Sequence, residues 1–380
     1  MFPSDHPSRL KPEAFLNADH LKNLRSSSPP FFNTFTLHYL LRPLGRVILP
    51  IIPQTIGGSV LFFTLAVFGL VISIISSCVL YLNPSTTPLL LLCSFSSLLS
   101  SLAFPLTITQ STKIRRTTPV LYLLQSLFQS PLVCSHALAF VVTTLNSQPL
   151  FSIIHVLLLG LYQQTITLRK LVAMDDSAYV ALGGAPDVLF LNSILLGFLY
   201  FSKNSSQVFQ SSLHFFYITF FCVFLLHHFV ASIKIDRHRK SGTLSAIKRC
   251  LTTMFPLLCL YTLLFTFFVL DDDDEPLLFL ICVLGFTSYI STKLELHRQS
   301  DLPFRVLQPI LLIAAFATLS SACDHFLNFH LIFTGKTFMF ITCFITFGLV
   351  LQFSVAVLKE FAASLHQTVL EYNQGNLHDK

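Results

Sequence analysis

Residues 109 to 136, TQSTKIRRTTPVLYLLQSLFQSPLVCSH, gather the side chains best able to do chemistry in an otherwise apolar region. Lys113, Arg115 and Arg116 stand together in a polar turn, and guanidinium groups hold a phosphate bidentately. Cations in such a turn serve equally well as determinants of membrane topology. Gln110 and Ser111 precede the turn, and Gln125, Ser126, Gln129 and Ser130 follow it in the next apolar run. What the set lacks is a carboxylate, because no Asp or Glu occurs between Asp19 and Asp175. Amides and hydroxyls supply no charge to the hard Mg²⁺ ion, which wants anionic oxygen. Gln125 and Gln129 are four apart and share a helix face with Ser126 nearby. That face suits either hydrogen bonding between helices or the wall of a polar cavity.

The elements that position these residues follow from composition. With 53% apolar and 11% charged residues in 380, the chain is a polytopic membrane protein of all-α class. Apolar runs of bilayer length fall at 55–82, 88–109, 119–145, 149–168, 187–201, 209–233, 251–270, 276–292, 306–323 and 337–358, about ten transmembrane helices. Lys and Arg stay on the cytoplasmic side of short loops. With a cytoplasmic N-terminus and alternating loops, all of the 24 Lys and Arg except Lys203 and Lys336 fall on that side. Both termini are therefore expected in the cytoplasm. No signal peptide is expected, the first run acting as a retained anchor. The net charge of +6 reads as topology plus attraction to anionic lipid, not as a nucleic-acid surface. The nine Cys are scattered without a C-x-x-C pair and read as small apolar packers.

Four regions result. Residues 1–30, rich in Pro, Ser and mixed charge, are expected to be poorly ordered. Residues 31–54 mix aromatic and aliphatic side chains with His38, Arg42 and Arg46, as in an interfacial amphipathic helix, an apolar lead-in being the alternative. Residues 55–358 form the membrane domain and 359–380 a cytoplasmic tail. PQTIGG at 53–58 turns the chain into the bilayer.

This layout resembles the CDP-alcohol phosphotransferases, the choline/ethanolamine phosphotransferase family. Its members carry Pro-Asn-x-Ile-Thr at the first of ten spans, where this chain has Pro53, Gln54, Thr55, Ile56 and Gly57. Their catalytic segment, Asp-Gly-x2-Ala-Arg-x8-Gly-x3-Asp-x3-Asp, lies between the second and third spans, as residues 109–136 do. Anchoring on Arg115, Arg116 and Thr117 puts the first motif Asp on Gln110 and the Gly on Ser111. With one residue inserted, the later positions fall on Gln129, Ser130 and Val133; without it the two Asp positions become Phe128 and Leu132. LGGAPD at 182–187 resembles the family's Leu-Pro-x-Gly-Tyr-Asp, with Asp187 retained, whereas the Trp-Glu pair before it is absent.

The resemblance implies an origin in phospholipid biosynthesis, in the endoplasmic reticulum or Golgi membrane. Members move phosphocholine or phosphoethanolamine from a CDP-alcohol to diacylglycerol, with motif aspartates holding Mg²⁺ or Mn²⁺, and they dimerise. This motif has no acid in either register, so the expectation is a pseudoenzyme with no metal. It would act as a lipid- or nucleotide-binding scaffold, or as homo- or heterodimer partner of an intact member, with Lys113, Arg115 and Arg116 holding phosphate. The alternative is an active phosphotransferase with its metal on Asp175, Asp176 and Asp187.

The remaining constellations carry less. His136 and His155 are expected as hydrogen-bonded packers, His136 being also a candidate base. Cys323, Asp324, His325 and His330 match no standard zinc spacing. His227 and His228 are expected at lipid headgroups. The acidic run 271–275 reads as a solvated turn, and Asn204-Ser205-Ser206 is a formal glycosylation sequon.

Overall fold

The computed structural model describes residues 18–25, 33–53, 56–84, 86, 88–113, 119–145, 149–173, 179–180, 184–202, 207–239, 242–270, 276–300, 308–327 and 335–364. Its bulk is a bundle of long helices: α3 (Gly58–Leu82), α4 (Pro88–Lys113), α5 (Pro119–Leu145), α6 (Pro149–Ala173), α7 (Ala185–Phe201), α8 (Gln207–Arg239), α9 (Thr243–Leu270), α10 (Pro276–Ser300), α11 (Pro309–Leu327) and α12 (Gly335–Ser364). Proline opens α4, α5, α6, α10 and α11, where its missing N–H would have no intrahelical partner anyway. Among the described residues nine helices are long and apolar enough to cross a membrane, consistent with a polytopic membrane protein. The tenth expected run, α7, forms a helix of 17 residues, about 25 Å long.

Buried hydrogen bonds fix how the helices run. Ser94, Ser97 and Ser101 of α4 donate to Ser193, Leu189 and Pro186 carbonyls of α7, so these helices are antiparallel. Small hydroxyl side chains three and four apart let the two backbones approach closely. In α5 and α6 the contacts Ser130–Gln163 and Thr144–Ser152 run antiparallel as well. Arg169 with His228, and Phe151 with His214, make α6 and α8 parallel. Every such pair agrees with helices that alternate direction along the chain.

The N-terminal segment departs from the expected interfacial helix over 31–54. A short helix, α1 (Ala18–Arg25), packs Leu24 onto the bundle beside α10. Next, β1 (Asn33–Thr34) pairs in parallel with β2 (Tyr179–Val180) ahead of α7. Helical turns begin at Phe35, directly after the strand, continue through α2 (Arg42–Ile48) and end at Ile51. Leu37, Leu41, Gly45 and Leu49 face the bundle, while Tyr39, Leu44, Val47 and Ile51 are exposed beside His38 and Arg46. The strand pairing, a contact between residues 146 apart, is what shortens the helix.

Candidate functional site

Gln110 lies near the end of α4, and its amide nitrogen donates to the Ile56 carbonyl at 3.2 Å. Ser111 sits against Gly58, where a Cβ would come within 2.2 Å of the Ser111 hydroxyl oxygen. Any larger residue at 58 would push the start of α3 off α4. The first two motif positions are thus buried in the turn that leads into α3. Neither lines the cavity described next.

The later positions lie on α5 and do face one space. Gln129, Ser130 and Val133 border a cavity of about 20 Å³ with Tyr162, Gln163 and Thr167 of α6, Ala185 and Val188 of α7, and Ser291 of α10. Phe128 is not among its lining residues and belongs to an apolar groove elsewhere on α5. Of the two registers, the one with an inserted residue puts its three later positions on one cavity, apart from Gln110 and Ser111, and the other does not. Ser130 donates to the side-chain amide oxygen of Gln163, Oε1, at 2.7 Å. Tyr162 Oη, Gln163 Nε2 and Ser291 Oγ are buried and have no hydrogen-bond partner among the described residues. Buried polar atoms need partners, and a cavity of this size suits about one water. A pocket for a drug-sized ligand needs about 300 Å³ or more.

The rest of the Gln and Ser set joins helices. Gln125 donates to the Phe104 carbonyl at 3.1 Å and to Thr107 Oγ1 at 3.2 Å, tying α5 to α4. Gln299 donates to Ser126, tying α10 to α5. Ser130→Ala should therefore destabilise the folded protein by about 1–2 kcal/mol, since the buried Gln163 Oε1 would lose its hydroxyl donor. Thermal unfolding of detergent-solubilised protein measures this.

The cationic turn falls mostly outside the described residues: Lys113 ends α4, its side chain is not described, and Arg115 and Arg116 lie in 114–118. Asp175 and Asp176 are likewise outside. Asp187 is described and buried; its carboxylate accepts a hydrogen bond from Thr34 Oγ1 at 2.8 Å, and Thr34 Oγ1 accepts from the Leu37 amide. Its neighbours Ala185 and Val188 border the cavity. Gly184 precedes them at φ 141°, a conformation that favours glycine and leads into α7 at this point.

The histidines separate in unexpected ways. His136 bonds the Leu132 carbonyl at 2.8 Å and approaches Ser96 Oγ at 3.4 Å, toward α4. His155 is buried against Tyr217, ring centroids 3.7 Å apart, without a hydrogen-bond partner among the described residues, so among these it packs by stacking. His227 is exposed as expected, but His228 is not at a headgroup: it is buried and its Nδ1 accepts from Arg169 at 2.9 Å. A partly buried Arg needs an interior partner, and α8 supplies one. No group of three or more His, Cys, Asp or Glu able to hold a metal occurs among the described residues. His330, residues 271–275 and Asn204 lie outside them.

Tyr162, Gln163, Thr167 and Ser291 were absent from the candidates because each interrupts an apolar run singly or in a short cluster. The YQQT of α6 is the visible signal, since two adjacent amides in a span need buried partners. Compared with models of known protein families and with curated proteins, the sequence finds no match in either.

Proposed function

We propose that the chain is a ten-span integral membrane protein with both termini cytoplasmic, derived from the CDP-alcohol phosphotransferases and no longer catalytic. Its role is that of a lipid- or nucleotide-binding scaffold, or a partner of an intact family member, in the endoplasmic reticulum or Golgi. The supporting observation is that the motif positions hold no acid and are occupied elsewhere. Gln110 is bonded to the Ile56 carbonyl, Ser130 to Gln163, and Val133 is apolar. Metal clamping of a diphosphate stabilises the transition state by several kcal/mol and needs anionic oxygen. These residues do not fit Mg²⁺ or Mn²⁺. The antiparallel seating of α7 on α4 supports counting α7 as a span.

One observation favours a second reading. Asp187 is a buried carboxylate within two residues of the cavity lining, and with Asp175 and Asp176 it could hold a metal in an active enzyme. Its bond to Thr34 competes with that use. The deciding assay supplies full-length protein in membranes with labelled CDP-choline or CDP-ethanolamine, diacylglycerol and Mg²⁺ or Mn²⁺. The expected result is no phospholipid above membranes lacking the protein. Metal-dependent product that is lost in Asp175→Asn, Asp176→Asn or Asp187→Asn protein would overturn the noncatalytic reading.

A further inference from the structure

The opposite side of α5 carries a feature that the motif does not involve. A groove of about 330 Å³ lies between α3, which supplies Leu70 and Ile74, and α12, which supplies Phe347 and Leu351. Its floor is α5 from Leu127 to Leu138, with Leu284 and Ser288 of α10. From Phe128 to Leu138 the floor is about 15 Å long, half the thickness of a hydrocarbon core. The lining sits near the middle of each helix, at the depth where acyl chains end. On α5, residues 129, 130 and 133 point to the polar cavity while 128, 131, 134 and 138 point to the groove, so the two spaces do not merge.

Several observations say what fills it. The space is more than twice the roughly 150 Å³ apolar cavity that stays dry and takes benzene. Its walls are almost wholly apolar, and Ser135 spends its hydroxyl on the Leu132 carbonyl at 2.9 Å, so water has little to bond. Ile74, Phe347 and Leu351 at the rim are exposed, which in a membrane means open to lipid chains. Gly285 lets the Phe347 ring lie on α10, 3.1 Å from where a Cβ would be, and this contact seats α12 at the groove's edge. An unfilled groove would forfeit dispersion contacts along its length, and a flexible hydrocarbon tail restores them.

From this we infer that the groove is a resident-lipid site that takes the end of one acyl chain of a bilayer phospholipid between α3 and α12. The chain joins two helices across the face of α5. This inference rests on the membrane-spanning reading and not on the family resemblance.

The test reconstitutes the full chain into phosphatidylcholine vesicles containing a phosphatidylcholine with a diazirine at the end of one chain. After irradiation, crosslinked peptides are mapped by mass spectrometry. Leu138, Leu284 and Ser288 are buried, whereas Leu312 on α11 is exposed, so bulk lipid labels only the last. The expected result is labelling at the three buried positions as well as at Leu312. Ser354→Phe, which fills the groove from α12, should lower groove labelling about tenfold and leave Leu312 unchanged. Labelling confined to Leu312 would overturn the inference while leaving the membrane reading intact. Labelling at neither would overturn both.

Discussion

Arg298→Ala is expected to destabilise the folded protein by about 3–5 kcal/mol, because it leaves a buried carboxylate without its cation. Glu295 lies on α10 with its side chain 1% exposed, and Arg298 one turn later donates both Nε and Nη2 to the same oxygen, Oε1, at 2.9 and 2.6 Å. The second oxygen, Oε2, is buried with no hydrogen-bond partner among the described residues. The guanidinium is therefore the main compensation for a charge held among helices. A neutral pair is a different matter: replacing both members of a buried ion pair with apolar residues of similar size is often neutral or better. Glu295→Met with Arg298→Met should accordingly recover most of the loss. Unfolding in mixed detergent and dodecyl sulfate micelles measures both variants. If the single and double variants lost the same stability, the ion pair would not be the cause.

The pair also shows where reading the chain falls short. Apolar runs locate the hydrocarbon core, so α3, α5 and α7 begin or end within a few residues of the expected limits. Helices do not stop at that core. α10 continues from the expected 292 to Ser300, α8 from 233 to Arg239, and α9 starts at Thr243 in place of 251. Polar and charged residues form helix as readily as apolar ones, and Glu295 and Arg298 stand on such an extension, one turn apart.

The candidate site was legible in part. The absence of acids, the sharing of helix contacts by Gln125 and Ser126, and the grouping of Gln129, Ser130 and Val133 all follow from the α5 sequence and its period. The site's other wall comes from α6, α7 and α10, which spacing within one segment cannot reveal. The bond between Thr34 and Asp187 belongs to the same class, joining residues 153 apart. His228 is a third case, since only the packing of α6 on α8 decides that it meets Arg169 and not lipid headgroups.

Gly160→Val should be at least as damaging as a typical overpacked core substitution, about 3 kcal/mol or more. Gly160 lies on α6 where α9 and α10 converge, and a Cβ there would fall 1.9 Å from Tyr261 Oη and 2.7 Å from Thr287 Cγ2. Tyr261 cannot simply swing away. Its ring is buried, and its hydroxyl meets Thr287 Oγ1 at 3.0 Å. Displacing Tyr261 would break that buried bond, while displacing α6 would shift Tyr162 and Gln163, two and three residues on, off the cavity they border. Helix propensity alone favours Val over Gly by a few tenths of a kcal/mol, so the whole of the loss reports the contact. Tyr261→Phe removes the nearest atom, and Gly160→Ala in that background should regain part of the stability that Gly160→Ala alone loses. Equal losses with and without Tyr261→Phe would show that the glycine is required for some reason other than this close approach.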